Sequence, residues 1–211
     1  MRFQVSGRML LALPLFALSA AACSKTNVSR IDPASVTDLS GRWNDTDSRL
    51  VADELIYQSL TGQWIASYGD AQGGEAPSVI VGTFRNRSTE HIPVGTFVGD
   101  LERAFVNSGA VTLVAGGDER AELRDERDDQ QANARSDTRA RLGQELGARF
   151  ILQGEILSIE DQETSRRVGS RSEKIVFYQV DARLVDLESN VVVWAGQHKI
   201  KKYIERPPLG L

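Results

Sequence analysis

A search of the 211 residues for groups able to do chemistry finds little of the equipment of an enzyme. Cys23 is the one thiol, and the histidines are His91 and His198 alone. A serine nucleophile needs a base in reach and a sharp turn to present it, and no Gly-x-Ser-x-Gly stretch occurs in the chain. The two histidines lack the His-Glu-x-x-His spacing that places two imidazoles on one helix face around zinc. No acidic run has the glycine and ligand spacing of a calcium loop, so no metal site is expected. There is no Gly-x-x-x-x-Gly-Lys-Ser/Thr cradle for phosphates, and no cofactor is expected. Twenty-nine acidic residues make chance carboxylate pairs unavoidable, which leaves glycan hydrolysis open on sequence grounds. His91 reads as a loop residue and His198 as a strand residue facing water.

The lone cysteine has a more specific setting. Arg2 and Arg8 precede an uncharged apolar stretch, Met9 to Leu18, which Pro14 interrupts and small residues Ser19 to Ala22 close. That is too short for a bilayer span of about 20 residues and has the order of an export signal, residues 1–22. Ala20-Ala21-Ala22-Cys23 resembles the lipobox of bacterial lipoproteins, with Leu18 two positions earlier than the leucine usual there. The resemblance implies a diacylglyceryl group on Cys23, cleavage before it and, with Ser24 rather than Asp next, sorting to the outer membrane. Several acyl chains, at about 0.8 kcal/mol per buried CH₂, anchor a protein without a spanning helix. Removal of the signal takes two arginines and no acid, shifting the net charge from −4 to −6. A negative chain lacks the field that gathers phosphates, so no nucleic-acid partner is expected.

Composition, at 41% hydrophobic and 26% charged, is that of one globular domain with extensions. Residues 23–40 read as the lipidated terminus and a tether, 41–206 as a single periplasmic domain and 207–211 as a tail. The tether's sixteen or so residues reach roughly 55 Å when extended. Asn44, Asp45 and Thr46 offer caps for a helix carrying Leu50, Val51, Leu55, Ile56, Leu60, Trp64 and Ile65 to about Tyr68. Val79 to Phe84 predicts a buried strand, Arg85 to Thr89 a polar turn, and Val94 to Val106 a helix stopped by Asn107-Ser108-Gly109. Gly95 and Gly99 on that helix suggest close packing on a sheet. Val111 to Val114 completes a βαβ unit with parallel strands. Asp118 to Asp129 reads as a solvated helix with Arg124 paired to Asp128 and Leu123 turned inward. Asp137 to Leu146 reads as a further helix with Leu142 and Leu146 on one side. Phe150 to Ile159 is a third strand, Asp161 to Ser172 a charged loop, and Lys174 to Leu187 a fourth strand alternating Val176, Tyr178, Val180, Ala182 and Leu184. A hairpin turn at Glu188-Ser189-Asn190 leads to the last strand from Val191. The sum is an α/β fold: a mixed sheet of about five strands, parallel first and antiparallel last, with helices packed on it.

Five stretches in order then resemble one family, the LpoB-type activators of penicillin-binding proteins. They are the end at Cys23, Gly41-Arg42-Trp43-Asn44-Asp45-Thr46-Asp47, Asn86-Arg87-Ser88, Gly147-Ala148-Arg149-Phe150-Ile151-Leu152 and Val193-Trp194-Ala195-Gly196, covering Cys23 to about Lys202. The resemblance implies a fold similar to the N-terminal domain of TolB and a non-catalytic, lipid-anchored domain that stimulates a class A penicillin-binding protein. It departs from the enterobacterial members, whose linker is long. Loops carry recognition more often than sheet faces, which makes Arg85, Asn86 and Arg87, with Arg166, Arg167 and Arg171, the expected contacts. The alternative is a structural envelope lipoprotein that binds glycan or assists outer-membrane or flagellar assembly.

Overall fold

The computed structural model describes residues 28–143, 145–164 and 172–206. The export signal, Cys23 and the arginines 166, 167 and 171 lie outside the described residues. The chain divides at Pro33, and every element belongs to the unit that begins at Ala34. In order these are α1 (Asp45–Leu60), α2 (Gln63–Ala71), β1 (Ser78–Asn86), α3 (Val94–Ser108), β2 (Thr112–Leu113), α4 (Gly117–Asn133), β3 (Phe150–Thr164), β4 (Ser172–Asp186) and β5 (Val192–Arg206).

One sheet, in the order β2-β1-β3-β4-β5, organises the unit. β1 runs parallel to β2 and β3, and the pairs β3/β4 and β4/β5 are antiparallel, as the sequence predicts. Val176, Tyr178, Val180, Ala182 and Leu184 are all buried, so the period-2 pattern of β4 does mark its inner face. Val79, Val81 and Phe84 of β1 and Leu152 and Ile156 of β3 continue that face. Val51, Leu55 and Ile56 of α1 and Phe97, Leu101 and Phe105 of α3 close over it. Each such side chain contributes about 1.5–3 kcal/mol by leaving water. The start of α1 is fixed by a capping box in which Asn44 Oδ1 accepts from the Asp47 N–H at 3.1 Å and Asp47 Oδ2 from the Asn44 N–H at 2.9 Å. Gly109, at φ 63°, ends α3 in the left-handed conformation.

Several expectations are corrected. The first helix is two, broken at Thr61 and Gly62, where the Thr61 hydroxyl bonds back to the Tyr57 carbonyl at 2.9 Å. The break returns Trp64 to the core, its ring 5.2 Å from that of Phe150, while Leu50 stays exposed. β1 continues through Arg85 and Asn86, and β3 and β4 include 161–164 and Ser172, so strand replaces much of both predicted loops. No helix forms over 137–143 or 145–146. Gly143 sits at φ +69°, which breaks the period between Leu142 and Leu146, and both leucines are exposed. α4 buries nothing: Leu123 is exposed, and Arg124 pairs with Glu145 at 3.0 Å instead of with Asp128. Arg127 reaches the same carboxylate at 2.7 Å. Val106 is exposed, and a Cβ at Gly95 or Gly99 would meet nothing within 4 Å, so the expected close packing of α3 is absent there. His198 is half-buried on the helix side of β5, opposite Val180, and does not face water.

The register between β1 and β3 slips between Val81 and Phe84, so Gly82 and Thr83 occupy the space of one residue. A slip of one exchanges the two faces of a strand beyond it. Phe84 therefore enters the core, 5.3 Å from the ring of Phe97, and Arg85 leaves it. The Phe84 ring lies across Gly154, where a Cβ would overlap both the ring and the Asp181 carbonyl oxygen. Gly154→Ala is expected to cost about 1–3 kcal/mol by overpacking. Gly99→Ala, in open space on α3, is expected to add about 0.5–1 kcal/mol. Urea unfolding of the two variants against the unaltered chain measures both.

Candidate functional site

Helices α1 and α3 cover one face of the sheet, and over β3, β4 and β5 the other meets no helix closely among the described residues, α4 starting beside Ile80 of β1. On this bare face the strands present Ile80 and Arg85 from β1, Gln153, Glu155 and Leu157 from β3, Phe177, Asp181 and Arg183 from β4, and Ala195, Gln197, Lys199 and Lys201 from β5. Its centre is a depression of about 540 Å³ lined by Thr83, Arg85, Gln153, Asp181, Arg183 and Gln197. Its floor is backbone, at the row Gly154, Ala182 and Gly196 whose Cβ side faces the helices, and the long alternate side chains form the wall. Small residues there also leave room on the core side for the Phe84 and Trp194 rings.

Each predicted contact residue has a defined place. Arg85 lines the depression by virtue of the slip in β1. Arg87 Nε lies 3.0 Å from Glu155 Oε2, and its backbone N–H donates to the Ile156 carbonyl at 2.8 Å. Asn86 is consumed by the turn: Nδ2 donates to the Glu90 carbonyl at 2.7 Å, and Oδ1 accepts from the Ser88 N–H at 2.9 Å and its hydroxyl at 2.6 Å. This turn is pinned on two sides. The Thr89 N–H donates to Ser158 Oγ at 3.0 Å, while the Glu90 carboxylate accepts from the Tyr178 hydroxyl at 2.7 Å and the Trp43 N–H at 3.1 Å. Burial, and then the bond to Glu90, push the Tyr178 phenol far above its ordinary range. Of the basic last strand, Lys199 and Lys201 are exposed on the bare face, whereas Lys202 points to the other side and is spent internally. Sequence reasoning missed Gln153, Asp181, Arg183 and Gln197. Their only signal was their alternation with the buried residues of β3, β4 and β5.

Lys202 ties three segments together. Its Nζ lies 2.6 Å from Asp47 Oδ2 at the head of α1, 2.7 Å from Asp38 Oδ1 and 3.1 Å from the Arg42 carbonyl. Asn44 Nδ2 donates to the same Asp38 oxygen at 2.6 Å, so the stretch read as tether is held to the fold at this point. Asp38 is drawn below the ordinary carboxylate range, first by the hydrogen bond from Lys202. Burial pulls the Lys202 ammonium down, but its bonds to Asp38 and Asp47 outweigh that and the net shift is upward.

Among the described residues no three of His, Cys, Asp and Glu gather as a metal site, and no helix is long and apolar enough to cross a membrane. Fold and surface together define a small mixed α/β domain that displays arginines, amides and carboxylates on the bare face of its sheet. A family model described as peptidoglycan-synthase activator LpoB matches residues 47–200, and the chain belongs to that family. Among solved structures it is similar to the LpoB C-terminal domain from Salmonella enterica, with 14% identity, TM-score 0.43, and coverage of 74% of this chain and 99% of that one. The corresponding domain from Escherichia coli gives 12% identity and TM-score 0.41 with the same coverages. Lipoprotein GNA1162 from Neisseria meningitidis gives 19%, TM-score 0.34 and coverages of 60% and 83%. No curated protein sequence matches the chain.

The Lys202 cluster sets a pH dependence. The lowered Asp38 stabilises the fold above the ordinary carboxylate range near 4, and this is lost as pH falls through its lower folded value. The raised Lys202 stabilises the fold below the ordinary lysine range near 10.4, and this is lost as pH rises through its higher folded value. Stability is therefore expected to be level across neutral pH and to decline at both extremes. Lys202→Met, which strands the buried Asp47 carboxylate, should cost about 2–3 kcal/mol at pH 7 and flatten the alkaline decline. Urea unfolding at pH 3, 7 and 11 checks both statements.

Proposed function

We propose that this chain is a lipid-anchored, non-catalytic periplasmic activator of a class A penicillin-binding protein, held at the outer membrane by acyl chains on Cys23. The observation that carries the reading is family membership across residues 47–200. The order of signal, Cys23 and short tether supports the anchoring. An activator works by binding the active conformation of its enzyme better than the resting one, and it shifts the equilibrium only by that difference. Such a role needs a rigid surface, which the pinned turn after β1 supplies. Arg85 and Arg87 stand at that turn, and we assign the enzyme contact to them together with Arg166, Arg167 and Arg171. Asn86 acts indirectly, by shaping the turn. With the stretch held to the fold from Asp38, the free tether, residues 24–37, reaches about 50 Å at most, which requires that the enzyme's contact domain extend toward the outer membrane.

The test mixes the purified full chain with each class A penicillin-binding protein of the source organism and records binding, glycan polymerisation and crosslinking. Saturable binding with a faster rate is expected for one of them. The combined Arg87→Glu, Arg166→Glu and Arg167→Glu changes should lower that affinity about tenfold or more, chiefly through slower association at low salt. Absence of binding and of any rate change with every such enzyme would sink the proposal.

A further inference from the structure

Apart from Arg85, which both readings use, the depression on the bare sheet face holds chemistry that the activator reading leaves aside. Its volume, about 540 Å³, lies in the range of small-ligand sites rather than of the flat patches that join proteins. Its floor is the backbone of Gly154, Ala182 and Gly196, with the Ala182 methyl buried on the opposite side, so the middle of the hollow is open to a ligand. Arg85 and Arg183 line it from β1 and β4, both exposed and neither in an ion pair among the described residues. A free guanidinium is a planar fork suited to the two oxygens of a carboxylate.

Asp181 lies beside Arg183 on β4, across Glu155 of β3 from Arg85, half-buried, and no cation neutralises it among the described residues. Its Oδ1 accepts from Gln179 Nε2 at 3.0 Å and Gln197 Nε2 at 2.7 Å, and its Oδ2 from Gln179 at 2.8 Å. A carboxylate has about four acceptor positions, so this one is aimed by amides and keeps a place for a further donor. Glu155 beside it faces Arg87. An apolar ligand would waste this lining. A polyanion would meet Asp181 and Glu155, and a neutral sugar would leave both guanidinium forks unmatched. The matching ligand is a short peptide that carries free carboxylates and a free amine, with backbone amides for Gln153 and Gln197.

The geometry points to a binding site for the peptide stems of peptidoglycan, with stem carboxylates on Arg85 and Arg183 and the diamino-acid amine on Asp181. The family's connection with peptidoglycan synthesis selects this source for the chemistry, and the inference goes beyond the activator reading because the ligand is wall material and not the enzyme. The chain would then sense, beside its enzyme, the stems that the enzyme has yet to crosslink.

The experiment titrates the full chain, in detergent micelles, with soluble muropeptides released by muramidase from sacculi of the source organism, and follows heat. Saturable binding is expected, and methyl esterification of the stem carboxylates should abolish it. Arg183→Ala and Asp181→Asn should each weaken it about tenfold, the scale of one charge-assisted contact. Both side chains face outward from β4, and an unchanged melting curve verifies that the variants fold. Arg183 and Asp181 lie outside the proposed enzyme contact, so Arg183→Ala should bind and stimulate the penicillin-binding protein as before. That separates failure of this site from failure of the activator reading. The inference is overturned if the unaltered chain takes up no muropeptide, if the folded Arg183→Ala chain binds as tightly as the original, or if peptide-free glycan binds equally well.

Discussion

The absence of one carbon atom at Gly154 sets the layout of the sheet. Because β3 has no side chain there, the Phe84 ring can lie flat against it and reach Phe97 under the helices. For Phe84 to point inward when Val79 and Val81 already do, β1 must gain a residue, and it does so at Gly82 and Thr83. Core packing and surface chemistry are thus one decision. The slip that satisfies the core also turns Arg85 outward, to the rim of the hollow on the reverse side. A regular β1 would place a guanidinium in the apolar layer and a phenyl ring in water, both unfavourable by several kcal/mol.

The core-side framework is reinforced by a polar chain running through it. Glu90 joins Tyr178 of β4 to the backbone of Trp43, and the Trp43 ring stacks edge-on against Tyr178 at 5.5 Å and Phe97 at 6.4 Å, while its Nε1 donates to Ser48 at 2.8 Å. A buried tyrosine hydroxyl and a half-buried indole N–H each need a partner, and here they find one in Glu90 after β1 and in Ser48 on the first turn of α1. The consequence for recognition is entropic. A turn already ordered by these bonds loses little freedom when a partner docks on it.

What the sequence reveals follows from which features repeat. α3 and β4 are legible because their apolar residues recur every three to four and every two positions, and the βαβ order makes the parallel pairing legible as well. The slip in β1 is a single insertion without period. Arg85 and Arg87 were recognisable as candidates, but as loop residues, because nothing local marks the strand as continuing. Arg183, Asp181 and Gln197 looked like ordinary solvated alternates, since convergence across strands depends on a register fixed by distant contacts. The stretch after α4 misled for a related reason. Leu142 and Leu146 have helical spacing, yet Gly143 adopts positive φ and Glu145 answers to Arg124 and Arg127 on another segment.

The joint at Lys202 has a mechanical meaning. A pull arriving along residues 34–40 meets the folded unit first at Ala34, whose carbonyl Arg49 of α1 holds at 3.3 Å, and then at Asp38, where the load divides between Lys202 on the edge strand and Asn44 at the head of α1. Asp47 braces Lys202 from behind. Force is therefore spread in parallel over a helix terminus and a strand, and neither can be peeled away alone. A leash riveted in this manner passes its tension to α1 and to the edge of the sheet together, so that the folded unit is pulled on two elements at once.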